Sequence, residues 1–362
     1  MRKLLHSTRA CCLLFILNEY KHYIYTIIYT MKLFSLLSFL SVVAGVRLGD
    51  RFDSWLDEYR VHVEDGDAYV SMFEKWAAND KFIQEHNAGG NVTHVLGHNQ
   101  FSAMDSADYK AFLGYSSTLG KPKRFGAVRW MDVATTADSV NWVDAGAVTP
   151  VKDQGQCGSC WSFSTTGALE GAYFVKNGEL VSFSEQQLVD CDTLRNGGRD
   201  QGCNGGLMDN AFSWITKNGG LCLEADYPYF SGDTQDSGTC KKTCTVYPGS
   251  DIVKYVDVAP SDDAQMMAAL TQQPVAIAIE ADQREFQLYK SGVFTGTCGT
   301  TLDHGVLAVG YGTENGVDYY LVKNSWGSSW GSGGYIKLAK GKTFNGGDGQ
   351  CGMLLSASYP IV

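Results

Sequence analysis

The stretch Gln154-Gly155-Gln156-Cys157-Gly158-Ser159-Cys160-Trp161-Ser162-Phe163 decides the reading of this chain. Cys160 to Val175 reads as a helix, with Trp161, Ala168, Leu169, Ala172 and Tyr173 as its apolar stripe. A thiol at a helix N-terminus lies beside unpaired N–H groups and about half a positive charge, which favours the thiolate. A nucleophilic thiol also needs a base near neutral pH. His304 is the only histidine after His98, so acyl-transfer chemistry in the C-terminal part can use only Cys160 and His304. An imidazolium beside the thiol would depress its pKa by several units. Gly158 and Gly155 leave room for backbone to approach a substrate carbonyl. The Cys160 N–H and the Gln154 side chain are candidate donors to an oxyanion. Asn324 can orient one ring nitrogen of His304 while Trp326 shields that bond from water.

Outward from this stretch, the cysteines decide the compartment. Cys11 and Cys12 lie in the leader; nine others follow at 157, 160, 191, 203, 222, 240, 244, 298 and 351. Nine is odd, which leaves an incidental buried thiol or four bridges with one free cysteine in an oxidising compartment. Cys157-x-x-Cys160 has a competing reading as a thioredoxin-type redox pair. Such pairs favour Trp before the first cysteine, whereas Trp161 follows the second. A zinc site is disfavoured, because one histidine and scattered cysteines do not supply two close ligand pairs. No metal and no organic cofactor are expected. A net charge of −10 over 362 residues argues against a nucleic-acid surface.

Met31-Lys32 is followed by an apolar run of signal-peptide length, so residues 1–45 read as leader and signal peptide, with Met1 and Met31 as alternative starts of translation. No stable membrane span is expected, since Lys32 interrupts the only long apolar stretch. From residue 50, Trp55, Leu56, Tyr59, Val70, Phe73, Trp76, Ala77 and Ile83 recur at helical spacing. Asn91-Val92-Thr93 is a glycosylation sequon. Between Gly114 and Ala137 the pattern dissolves into a linker where proteolysis could separate two parts. Ser184-Glu185-Gln186-Gln187 reads as a capping box opening a second helix. After Pro274 the signal is β, at 275–279, 305–309, 318–322 and 335–338. Helices first and strands later give an α+β domain in two halves with a cleft between, Cys160 on one half and His304 on the other.

Four blocks carry a resemblance: 154–163, Gly202-Cys203-Asn204-Gly205-Gly206-Leu207-Met208-Asp209, Leu302-Asp303-His304-Gly305 and Lys323-Asn324-Ser325-Trp326-Gly327. Together, and in this order, they resemble the papain family of cysteine peptidases, closest to its cathepsin L-like branch. The resemblance implies a papain-like two-lobed fold, helical in one lobe and β-barrel-like in the other. It implies Cys160 as nucleophile, His304 as base and acid, Asn324 as orienting group and Gln154 as oxyanion donor. It also implies the bridges Cys157–Cys203, Cys191–Cys240 and Cys298–Cys351, with Cys222 and Cys244 left to form a fourth and Cys160 free.

The groove follows from the same blocks. Gly205 and Gly206 resemble the strand that pairs with an extended peptide, with Gly158, Asp303 and Trp326 beside it. Leu207, Met208, Ala278, Leu302 and Ser356 match the pocket for the second residue before the scissile bond. It carries no charge, so a bulky apolar residue is the expected occupant. Residues 46–135 resemble an inhibitory propeptide and linker ahead of a peptidase domain at 136–362. Asn79, Ile83 and Asn87 fit one of its motifs, in which Ala68, Met72 and Trp76 depart from the usual Glu, Arg and Phe. Gly97, Asn99 and Phe101 fit the next, where Ala103 replaces the usual acid and weakens any acid trigger that depends on it. Phe125 to Arg129 are expected near the groove, with cleavage near Ala134 to Asp138. The expected product is a monomeric endopeptidase made as a zymogen, bound for a lysosome- or vacuole-like compartment or the cell exterior. Its partners would be protein and peptide substrates, its own propeptide and cystatin-like inhibitors.

Overall fold

The computed structural model describes residues 48–90, 92–116, 119 and 136–362. Residues 1–47, Asn91 of the sequon and the segment Phe125–Arg129 lie outside the described residues. Two compact units divide the chain between Phe73 and Glu74. In the first, residues 48–59 are helical and Phe52 packs against Trp55, Tyr69 and Phe73 at 5.1–5.7 Å between ring centroids. Val70, read as part of the apolar stripe, is instead exposed. The helix Gly66–Asn87 runs on into the second unit, where Trp76, Asn79, Asp80 and Ile83 form its buried face. Two of those four are polar, so a hydrophobic count alone misplaces the face. Asn79 is buried because its amide donates to the Ser102 and Met104 carbonyls and its oxygen accepts from Arg284.

The second unit is built on one sheet of β1 (His94–Leu96), β2 (Val140–Asn141), β3 (Lys254–Asp257), β4 (Val275–Ile279), β5 (Tyr289–Phe294), β6 (His304–Glu314), β7 (Val317–Lys323), β8 (Tyr335–Ala339) and β9 (Ala357–Ile361). The order is β1-β5-β8-β7-β6-β4-β9-β3, with β2 paired to β6. Pairings are antiparallel except β5 with β8. Five strands were not anticipated, and two of them, β1 and β2, span only three and two residues. β3 and β5 carry Lys, Asp, Ser and Gly within short runs, and β9 contains Pro360. β9 meets β4 only at Ser358 and Ala357, so Pro360 lies where β3 is the sole strand neighbour, a position that tolerates proline. β1 comes from ahead of residue 136 and forms an edge of the sheet, His94 opposite Gly292.

The helix Cys160–Asn177 is buried on every side through Tyr173, not along a stripe. Its hydroxyls are satisfied internally: Ser164 donates to the Val306 carbonyl, Thr165 to Trp161 and Thr166 to Glu185. Gly167 lets the helix approach β6, since a Cβ there would sit 2.8 Å from a Leu307 methyl. Gly178, at φ 73°, ends the helix. Among the described residues, two large apolar cores result. One gathers Trp161, Leu169, Leu188, Phe212 and the β6 residues Leu307 and Val309. The other gathers Phe286, Trp326, Trp330, Ile336 and Met353.

The second helix spans Glu185–Cys191, capped by Ser184, whose oxygen accepts from the Gln187 N–H at 3.0 Å. The reciprocal half of the expected capping box is not made: Gln187 accepts from the Cys222 N–H and the Ser184 N–H donates to the Cys222 carbonyl. Ser184 also donates to the Tyr227 carbonyl at 2.6 Å. Ser184→Ala strands a buried donor and a buried acceptor, so it is expected to destabilise the chain by about 1–2 kcal/mol. Urea denaturation showing an unchanged midpoint would refute this.

Candidate active site

Cys160 is the first residue of its helix and is fully buried; its Sγ accepts from the Gly305 N–H at 3.2 Å. His304 is the first residue of β6, opposite Ile279 of β4. Its Nε2 lies 2.8 Å from Asn324 Oδ1, which also accepts from the Ser325 N–H at 2.8 Å. The Ser325 N–H can only donate, so it fixes which end of the Asn324 amide faces the ring. Nε2 therefore carries the proton, and Nδ1, which has no hydrogen-bond partner among the described residues, presents a lone pair. Trp326 stacks on the ring at 4.5 Å and 22° and covers the His304–Asn324 bond.

Gln154 is buried between the halves. Its Nε2 donates to the Cys157 and Phe112 carbonyls, both at 2.9 Å, and its Oε1 accepts from Ser325. The Phe112 carbonyl belongs to a segment that occupies this face. The Gly114 carbonyl accepts from the Gly206 N–H at 2.9 Å, Tyr115 N–H donates to Asp303, and Ser116 N–H donates to Gly206. Tyr115 thus runs parallel to Gly206 as one bridge of β pairing. Its ring joins the cluster of Leu207, Met208, Ala278 and Leu302, and its hydroxyl lies 3.2 Å from Ser356 Oγ. Four residues of the expected apolar pocket thus share one core with Tyr115, and the fifth, Ser356, lies at its hydroxyl. No sequence signal marked Tyr115.

Two expectations change. Gly155 does not face the cleft: at φ 56°, a Cβ there would meet Gly232 at 2.7 Å, so it serves a tight turn. Gly158 does face it; its N–H donates to Cys203 and its carbonyl lies against Gly114. The thiol is also not depressed. Burial pushes Cys160 up to about 11, outweighing the N–H groups of Gly305, Gly114 and Trp161. Burial likewise lowers His304 to about 4, against the pull of Asn324. With segment 112–116 over the site, both groups are held neutral.

Cys157 is bonded to Cys203, Cys191 to Cys240, Cys222 to Cys244 and Cys298 to Cys351, which leaves Cys160 free. A Cys157–Cys160 redox pair is incompatible with the first of these. The sequence reading missed a charged cluster beneath Asn324. Lys152 bridges Glu170 and Glu185, and Lys323 donates to Thr149, which donates to Glu170. Glu170, the one acid in its helix, was its visible trace. Burial lowers Lys323 to about 8.

Asp303 gives a pH prediction. Burial, then Asp282 and Glu280, raises its carboxyl to about 7 despite the Ala281 N–H. A carboxyl raised on folding stabilises below its unfolded value, and that contribution is lost as pH rises through about 7. His304, lowered on folding, has the opposite sign: its contribution is present above 6.5 and lost as pH falls through about 4. Asp303→Asn is expected to remove only the first. The variant's Tm should then gain on the wild type's as pH rises from about 4 to about 7. Parallel Tm curves for the two proteins would sink the assignment.

Residues 136–361 match the family described as "Papain family cysteine protease", and residues 52–109 match the "Cathepsin propeptide inhibitor domain". "Probable cysteine protease RD21B" of Arabidopsis thaliana is 49% identical over 290 residues, covering 80% of this chain and 60% of the relative. "Germination-specific cysteine protease 1" of the same plant is 45% identical, covering 83% and 78%. The chain spans 60–67% of the length of the first three curated relatives it matches. Among solved structures, "Recombinant stem bromelain precursor" superposes with a TM-score of 0.78 at 36% identity, covering 87% of this chain and 99% of that one. Digestive procathepsin L 3 of the Tenebrio molitor larval midgut gives 0.75 at 36% identity, covering 87% and 99%. Among the described residues, no helix is long and apolar enough to cross a membrane.

Proposed function

Since the chain belongs to the papain family of cysteine proteases, we propose that it is an endopeptidase made as a self-blocked zymogen in the secretory pathway. Its domain division would be a leader at 1–45, an inhibitory propeptide and linker at 46–135, and a peptidase domain at 136–362. The observation that carries this reading is the His304 tautomer: Nε2–H tied to Asn324, Nδ1 free, under Trp326. That ring can accept a proton only at Nδ1.

Removal of segment 112–116 returns water and a substrate to the site, so the burial that holds Cys160 and His304 neutral is relieved. The thiol proton then passes to His304 Nδ1. Thiolate and imidazolium stabilise each other, and the helix N-terminus favours the thiolate. Cys160 Sγ attacks the peptide carbonyl, whose oxygen develops negative charge toward the Cys160 N–H and Gln154 Nε2. His304 Nδ1 protonates the leaving amine; it next takes a proton from water, which cleaves the thioester and frees the acid. That Gln154 Nε2 already holds the Phe112 carbonyl supports its role as a carbonyl donor. The processed enzyme should be labelled at one thiol by an epoxide inhibitor, and Cys160→Ser should remove both label and turnover. Turnover surviving in that variant would end the proposal.

Substrate choice rests on the pocket that Tyr115 fills. Leu207, Met208, Ala278 and Leu302 offer no charge, so Leu, Phe, Tyr or Val fits and a guanidinium leaves its desolvation unrepaid. Peptides with Phe at the second residue before the scissile bond should exceed Arg analogues in kcat/KM by about 10²-fold, an ordinary consequence of about 3 kcal/mol. Equal rates would refute this. The acidic chain, its four bridges and its leader support delivery to a vacuole-like compartment or the exterior. Cystatin-like proteins are the inhibitor class that such a groove would accept.

A further inference from the structure

A second group of chemistry-bearing side chains lies away from the cleft. His86 is in the last turn of the helix Gly66–Asn87, His94 begins β1, and Glu285 belongs to the short helix Arg284–Gln287. One ligand atom from each lies within 4.8 Å of the others, the only such group found among the described residues. His94 Nε2 is 3.5 Å from Glu285 Oε2. Zinc bonds of about 2.0–2.2 Å in a tetrahedron set neighbouring ligand atoms about 3.4 Å apart, so this pair already has the required separation.

We propose that His86, His94 and Glu285 bind one zinc-class divalent ion, which ties residues 86–94 to the peptidase domain. Two imidazoles and one carboxylate form a donor set that suits zinc, with a fourth position for water. The second observation is the state of His94. It is 4% exposed, its ring is packed against Phe294 at 4.8 Å, and its Nε2 has no hydrogen-bond partner among the described residues. A buried ring nitrogen without a partner is costly, and an ion between it and Glu285 supplies the partner. His86 is the adjustable ligand: it is half-buried, its ring centroid is 4.6 Å from that of His94, and its Nε2 faces the His94 carbonyl at 3.2 Å. The other nearby pair makes a contrast. His98 Nε2 is already joined to Asp80 at 3.0 Å and has no need of an ion.

Because β1 is an edge strand on β5, an ion here would fasten the segment leading to Phe112–Ser116. That consequence rests on the zymogen reading; the binding does not. The test uses the full-length Cys160→Ser zymogen, which can neither process itself nor offer its thiol as a ligand. Co²⁺ titration should give visible absorption saturating at one equivalent and displaced by one equivalent of Zn²⁺. Glu285→Gln and His94→Phe should each weaken binding by at least about 10²-fold, since even partners outside the ligand shell are worth roughly 10–100-fold. Glu285 is partly exposed, so Glu285→Gln keeps the test valid if His94→Phe does not fold. Absence of saturable binding, or binding unchanged in Glu285→Gln, overturns the site. In the zymogen with Cys160 intact, free Zn²⁺ at ten times its dissociation constant should slow self-processing about tenfold. Equal slowing in Glu285→Gln would overturn the tie. Processing without metal binding defeats the site alone; Co²⁺ binding in a chain that never processes defeats the peptidase reading alone.

Discussion

His304→Ala is expected to lower kcat of the processed enzyme by about 10⁴- to 10⁶-fold, with a much smaller change in KM. The size follows from the absence of any substitute. No other histidine lies after residue 98, and the buried cations Lys152 and Lys323 are tied to Glu170, Glu185 and Thr149. Without His304 the thiol has no acceptor for its proton and the leaving amine has no donor. Asn324→Ala keeps the imidazole but loses its tether, so a milder loss of roughly 10–100-fold is expected. Because His304→Ala cannot process itself, it must be cleaved in trans by the wild-type enzyme before active-site titration and steady-state assay. A variant retaining more than about one hundredth of wild-type kcat would contradict the assigned role.

Gly114→Ala is expected to open the zymogen. A Cβ at Gly114 would sit 1.8 Å from the Gly158 carbonyl oxygen and 2.2 Å from its carbon, and backbone cannot swing aside as a side chain can. Relief requires lifting Gly114, which breaks its bond from Gly206 and loosens those of Tyr115 and Ser116. Overpacking of this kind costs about 1–3 kcal/mol, or roughly 5–150-fold in the population of the open state. Alkylation of Cys160 in the intact zymogen reads that population directly, because the thiol is fully buried when closed. Labelling should accelerate by that factor at neutral pH. Equal rates in the two zymogens would mean that Gly114 is not what seals the site.

The candidate pair and four of the strands were legible in the sequence. Cys160 and His304 were forced together by the scarcity of imidazoles, and β4, β6, β7 and β8 were announced by β-branched and aromatic runs. What escaped had physical reasons. β3, β5 and β9 contain Lys, Asp, Ser, Gly or Pro, which discourage strands, so only pairing partners reveal them. The buried face of the helix Gly66–Asn87 is half polar, because Asn79 and Asp80 are satisfied by distant groups such as Ser102, Arg284 and His98. Local patterns carry no trace of partners so far along the chain.

The sequence by itself singled out Cys160, His304 and Asn324 as the candidate nucleophile, base and orienting amide, and it placed the strands β4, β6, β7 and β8. These depend on residue type and local periodicity, which a linear text preserves. Only the tertiary structure decided the state of the site. It laid residues 112–116 along Gly206, packed Tyr115 into the core that holds Leu207, Met208 and Ala278, and buried Cys160 and His304 completely. The same thiol that a helix N-terminus and an imidazolium would ionise is therefore held neutral, with its pKa pushed up to about 11. Desolvation is a property of everything packed around a group, and no stretch of sequence states it.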